Sequence, residues 1–180
     1  MLASQPALAE QELVPHFDIS RIQLDGNTLL TEAETEPVLS RFTGPQRDFG
    51  TLQEAIDAIE KVYKKRGYNL VTVILPEQEL KQGVVTLRVI EPVLKDINVT
   101  GNQHYSTESV LRILPTLRQG EPPMLNEISE NLRAVNESPT RQLNIQFKSM
   151  ERDTDLQALV QVKDQKPWKV ALSGDNTGNR

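Results

Sequence analysis

Hydrophobic positions along the chain change period several times, and each change marks an element. From Phe17 an alternation runs through Ile19, Arg21 and then Ile22 and Leu24, with a phase slip before Gly26; it predicts a strand closed by a turn at Asp25-Gly26-Asn27. Thr31 and Glu34 fit a capping box, but Pro37 moves the predicted helix start to about Thr35, with an end near Phe42. Leu52, Ala55, Ile56, Ile59, Val62 and Tyr63 then recur at helical spacing behind a second box at Thr51 and Glu54. Lys64, Lys65 and Arg66 fill the last turn of that helix and Gly67 stops it. NLVTVIL, from Asn69, is rich in β-branched residues and breaks at Pro76, and Val85, Leu87 and Val89 alternate in GVVTLRVIE, which predicts two more strands.

The same order then returns. A strand from Lys95 to Thr100, a helix from Thr107 to Leu114, and a helix with Leu125, Ile128, Leu132 and Val135 on one face precede two alternating strands, Leu143/Ile145/Phe147 and Leu156/Ala158/Val160/Val162. The phrase IQLDGN at Ile22 recurs as INVTGN at Ile97, a constant offset of 75 residues, too long for a solenoid repeat and suited to a small domain present twice. In each copy two antiparallel helices must return the chain to the sheet, and a hairpin then brings the third strand back between the first two. The predicted class is α+β, each copy a β-α-α-β-β unit with a three-stranded mixed sheet of order 1-3-2 covered on one face by two helices. Strand two is then an edge with a free row of N–H and C=O groups.

Composition narrows the function. A net charge of -5 argues against a nucleic-acid footprint, and the basic cluster Lys64 to Arg66 suits a helix C-terminus better than a phosphate site. The absence of cysteine removes disulfides, thiolate zinc sites and cysteine nucleophiles but leaves the compartment open. No apolar run approaches the length of a membrane helix. His16 and His104 are the only histidines, and His104 with Glu108 would supply two metal ligands, fewer than a zinc site needs. Phosphate-loop and hydrolase motifs are missing, and Asp153 and Asp155 read as a hairpin turn, so neither an enzyme nor a cofactor is predicted. Ala7-Leu8-Ala9 has the small-x-small form that closes a secretory signal, without the apolar stretch such a signal carries; an acidic leader with chance alanines stays open as the other reading.

Strand, helix, helix, strand, strand in tandem resembles the POTRA (polypeptide-transport-associated) domain. The stretch LPEQELKQGVVTLRVIEPVLKDINVTGN resembles the junction of the first two POTRA domains in transporters of two-partner secretion, the TpsB branch of the Omp85 superfamily. Pro76, Gln78, Leu80, Gly83, Val89, Glu91, Ile97, Val99, Gly101 and Asn102 stand at the positions of that family's pattern, and Pro92 departs from it where the family usually has Gly. The tail PWKVALSGDNTGNR resembles the first strand of the family's outer-membrane barrel, with Trp168, Val170 and Leu172 alternating and Asp175-Asn176-x-Gly178 following. In the family an extra helix that plugs the barrel, with a linker, often precedes the first domain; 16 residues precede Phe17 here, and whether the full-length protein has that helix stays open.

The resemblance implies a leader over 1–16, POTRA domains over 17–91 and 92–165, and the start of a barrel strand over 166–180, in the periplasmic portion of a Gram-negative outer-membrane protein. It implies a client-recognition module that binds an unfolded TpsA-type exoprotein and passes it to the protein's own C-terminal β-barrel. Strand addition at the edge strands makes Leu70, Val71, Thr72, Val73, Ile74, Leu143, Asn144, Ile145, Gln146 and Phe147 the candidate client-binding residues. Pro76, Gln78, Leu80, Gly83, Gly101 and Asn102 are expected to be structural. The alternatives are a POTRA module of an outer-membrane protein assembly factor, or a structural cell-envelope POTRA protein without a client.

Overall fold

The computed structural model describes residues 15–79, 82–138 and 141–165. The leader with Ala7-Leu8-Ala9, Leu80 of the family pattern, and the tail with Trp168 lie outside the described residues.

The phase slip in the first strand is a physical break. Strand β1 (Phe17–Ile19) and strand β2 (Arg21–Asp25) part at Ser20, where the N–H groups of Ser20 and Arg21 both donate to the Gly83 carbonyl at 2.8 and 3.3 Å. The freed β1 pairs antiparallel with β3 (Gly44–Arg47), a strand absent from the sequence prediction. Gln46 reaches a φ of 52° in that strand while its N–H donates to Asp18 Oδ1 at 3.0 Å.

Helix α1 (Glu32–Leu39) starts earlier than expected: Thr31 donates to the Glu34 carboxylate through both its N–H and its hydroxyl, fixing the start ahead of Pro37, which sits exposed inside the helix. A 3-10 turn, Ser40–Phe42, follows. Helix α2 (Phe49–Lys65) also corrects the prediction, because its cap is Asp48 and not Thr51. Asp48 Oδ1 accepts from the N–H and the hydroxyl of Thr51, each at 2.8 Å, and these bonds hold the Asp48 carboxyl below its ordinary pKa.

The first sheet has order β2-β5-β4, with β4 at Thr72–Ile74 and β5 at Val84–Ile90. Strand β2 runs parallel to β5, setting Ile22 beside Val85 and Leu24 beside Leu87. Val85, Leu87 and Val89 of β5 are buried, as are Leu52, Ala55, Ile56, Ile59 and Tyr63 of α2, so the period of two and the period of 3.6 each mark an interior face. The second sheet has order β6-β8-β7, built from β6 (Val93–Thr100), β7 (Arg141–Ser149) and β8 (Asp155–Asp164). Strand β8 is parallel to β6 and antiparallel to β7. Its inward residues Leu156, Ala158, Val160 and Val162 share a core with Val110 of α3 (Thr107–Arg112) and with Ile128 and Val135 of α4 (Leu125–Asn136). Two α+β units with order 1-3-2 are therefore present, as the sequence predicts.

The chain divides into one unit of residues up to Tyr63 with Thr72–Val89, and a second of Lys64–Val71 with the residues from Ile90 onward. Leu70, assigned to the first edge strand on its hydrophobicity, instead packs half-buried against the second core.

The repeated Gly-Asn phrase does the same work twice. Gly26 and Gly101 take φ of 85° and 80°, values that side chains disfavour. A Cβ on Gly26 would sit 2.6 Å from the Val89 carbonyl oxygen, and one on Gly101 would strike the Val162 carbonyl oxygen. The following Asn pins the turn. Asn27 Oδ1 accepts from Leu30 N–H at 3.1 Å and from the Tyr63 hydroxyl at 2.7 Å, and its Nδ2 donates to Leu30 O; Asn102 Nδ2 donates to Tyr105 O at 2.9 Å.

Candidate functional site

Eight of the ten candidate residues lie on two edge strands that differ in length and in how their outer rims are occupied. In the first unit, only Thr72, Val73 and Ile74 of the candidates belong to β4; Leu70 and Val71 precede it, which corrects the seven-residue strand read from NLVTVIL. Within those three residues the outward N–H is that of Val73, because it donates at 3.2 Å to Glu60 Oε1 of α2 and not to β5. Alternation then turns Thr72 and Ile74 toward the sheet. The first rim is thus short, and its central donor is taken.

Strand β7 spans nine residues. Leu143 faces outward, since its N–H donates to Asn136 Oδ1 at 2.6 Å and its carbonyl accepts from Asn136 Nδ2 at 2.9 Å. Odd positions therefore face out, while Gln142, Asn144, Gln146 and Lys148 pair with β8, a parity that Met150 N–H continues by donating to Asp155 O at 2.9 Å. Among the described residues, the outward groups of Ile145, Phe147 and Ser149 meet no partner in the structure. The side chains of Ile145 and Phe147 turn half-buried toward the core and α4, and those of Asn144, Gln146 and Lys148 are exposed on the opposite face. A hollow of about 610 Å³ lined by Asn136, Leu143 and Val162, among others, opens at the clamped end.

Of the residues expected to be structural, Gln78 and Gly83 make backbone contacts in the first unit. Gln78 extends the sheet past the end of β4: its Nε2 donates to Thr86 O and its Oε1 accepts from Thr86 N–H, both at 2.8 Å. Pro76 precedes it in the loop, and Gly83 supplies the carbonyl that breaks the first strand at Ser20. Asp164, which the sequence reading left unremarked, ends β8 and accepts from the N–H groups of Gln103, His104 and Tyr105 at 3.1, 2.8 and 3.0 Å. Desolvation pushes its pKa upward, but those three donors and the His104 ring outweigh it and lower the carboxyl to about 2. His104 Nδ1, 3.3 Å from Asp164 Oδ1, has its near partner there rather than at Glu108.

Two further surfaces lie away from the candidate residues. Strand β2 is also a sheet edge, and a groove of about 700 Å³ runs between it and α1, lined by Arg21, Gln23, Glu32 and Glu36 among others. A smaller hollow of about 400 Å³ lies at the end of β4 among Phe17, Phe49, Leu75 and Pro76, with the Phe17 and Phe49 rings edge-to-face at 5.2 Å. Phe49 is 55% exposed, a large apolar side chain left in solvent beside a cavity.

Comparison with known proteins agrees with this geometry. Residues 17–92 match the POTRA domain of ShlB type. The chain is 22% identical to the heme/hemopexin transporter protein HuxB of Haemophilus influenzae (strain 86-028NP), over 99% of this chain and 32% of that protein. It is 25% identical to the outer membrane transporter CdiB of Escherichia coli O6:K15:H31, over 92% of this chain and 28% of that one. The solved structure of CdiB from Escherichia coli superimposes with a TM-score of 0.72 at 24% identity, covering 91% of this chain and 30% of that chain. The chain is thus similar over most of its length to these outer-membrane transporters, and residues 17–92 carry the POTRA match. It spans about a third of the length of the curated relatives it matches. POTRA domains of such outer-membrane transporters lie in the periplasm. No described helix is long and apolar enough to cross a membrane.

Proposed function

We propose that this POTRA pair captures an unfolded, TpsA-type exoprotein by strand addition at β7 and passes it to the transporter's β-barrel. The observation that carries the reading is the open outward row at Ile145, Phe147 and Ser149, beside half-buried apolar side chains. Backbone bonds to that row accept almost any extended sequence, and the apolar positions next to α4 favour clients that alternate apolar and polar residues. Recognition of this kind needs neither a cofactor nor a nucleotide, and folding of the client outside the cell supplies the direction of transport.

The test uses the parity of β7. Asn144→Pro removes a ladder N–H and should destabilise the second unit by about 3 kcal/mol or more. Ile145→Pro removes an outward N–H and should leave the unit folded. Placed in the transporter, Ile145→Pro should lower exoprotein secretion while the transporter's outer-membrane level stays unchanged. Secretion at the wild-type rate by a folded Ile145→Pro protein would rule out strand addition at β7.

A further inference from the structure

We propose that Asn136 is a register guard for strand addition at β7, a role that rests on the strand-addition reading above. Asn136 is the last residue of α4, next to buried Val135, and its side-chain amide meets both outward groups of Leu143 at 2.6 and 2.9 Å. An amide offers one acceptor and one donor at peptide-like spacing, so the side chain does to Leu143 what one residue of an added strand would do. The outward row of β7 is thereby divided: Leu143 is closed, and Ile145, Phe147 and Ser149 are open. Arg141, one outward position further back, has its guanidinium carbon 5.6 Å from the centre of the Tyr105 ring, which anchors the closed end.

An incoming segment therefore pairs from Ile145 toward Ser149 and stops at Leu143 unless it displaces the Asn136 amide. Fixing that end fixes the register, and register decides which client side chains face α4, because side chains alternate with a period of two. Glu60 on Val73 N–H is a partial version of the device in the first unit: a carboxylate can occupy the donor but has no proton to give the carbonyl.

The experiment titrates the whole chain with a synthetic peptide of alternating valine and threonine flanked by lysines, and with its backbone N-methylated twin. Amide chemical shifts and the dissociation constant are read for the wild type, Asn136→Ala and Asn136→Asp. In the wild type the peptide should shift the amides of Ile145, Phe147 and Ser149 and leave that of Leu143 unchanged. Asn136→Ala should bring Leu143 into the shifted set and tighten binding about 3- to 10-fold, the value of one or two net hydrogen bonds. Asn136→Asp keeps the side-chain size and the acceptor for Leu143 N–H but frees the carbonyl, so it should tighten binding about 2-fold, and it carries the comparison if Asn136→Ala unfolds. Shifts at Ile145 to Ser149 in every protein with no tightening in either variant would overturn the guard and leave strand addition standing. Absence of shifts at Ile145 to Ser149 in all three proteins, or equal binding of the N-methylated twin, would overturn strand addition itself.

Discussion

Adding one methyl group to the repeated turn separates two causes of strain that usually act together. Gly26→Ala forces a side chain into a φ of 85° and sets its Cβ 2.6 Å from the Val89 carbonyl oxygen, a backbone atom of the central strand β5. Gly101→Ala repeats both conditions, at a φ of 80° against the Val162 carbonyl. Gly120 is the internal control, since its φ is 88° but a Cβ there meets nothing within 4 Å. The left-handed conformation alone costs an L residue about 1–2 kcal/mol, which is the whole effect expected for Gly120→Ala. Relieving the overlap at Gly26 or Gly101 requires moving a carbonyl that is tied into a buried strand, an overpacking cost of about 1–3 kcal/mol more. Urea denaturation followed by circular dichroism, at constant m, measures the differences. Equal destabilisation by Gly26→Ala, Gly101→Ala and Gly120→Ala would show that the close approach to Val89 and Val162 carries no energy, and the account of the repeat would fail.

Gln78→Leu removes both 2.8 Å bonds to Thr86 and should cost about 1 kcal/mol, because water replaces part of what is lost; it should also speed hydrogen exchange at the Thr86 amide, and unchanged exchange there would refute the strand-extending role. Asp164 has a depressed folded-state pKa of about 2, so its contribution is fully present above the unfolded-state value near 4 and is lost as pH falls from about 4 to about 2. Asp164→Asn should flatten the acid limb of stability in that window, and an acid limb identical to the wild type would remove Asp164 as its source.

Where burial writes a period into the sequence, the fold was legible. Helix α2 and strand β8 show their interior faces directly, as Leu52/Ala55/Ile56/Ile59/Tyr63 and Leu156/Ala158/Val160/Val162. The sequence is silent where structure rests on backbone pairing alone. Strand β3 is Gly44-Pro45-Gln46-Arg47, with no alternation to detect and a partner, β1, defined only by the break at Ser20. Hydrophobicity misled at Leu70, where the apolar residue serves a different core from the strand it precedes. At α2 two cap-forming residues competed, and the pattern could not choose between Asp48 and Thr51, because Thr51-x-x-Glu54 satisfies the box rule while Asp48 satisfies the geometry. Glu60 and Asn136 were invisible as site residues for a related reason: each is a polar residue on a helix, and what distinguishes it is the strand atom opposite.

The two copies keep the same turn and differ at the rim, and the physical demands on each part explain the contrast. The turn is a requirement of the fold: the carbonyls of Val89 and Val162 approach Gly26 and Gly101 so closely that neither copy can place a side chain there. Two residues beyond each carbonyl stand Glu91 and Asp164, and the second gathers three loop N–H groups onto one carboxylate. The rim carries no such constraint, because an edge strand is stable with its outer row in water as long as its inner row is paired. Length and occupancy at the rim can therefore vary without loss of the fold: β4 has three residues and a donor held by Glu60, and β7 has nine residues with Asn136 closing one outward position. Under the strand-addition proposal, that freedom lets β7 leave the outward groups of Ile145, Phe147 and Ser149 open to a client.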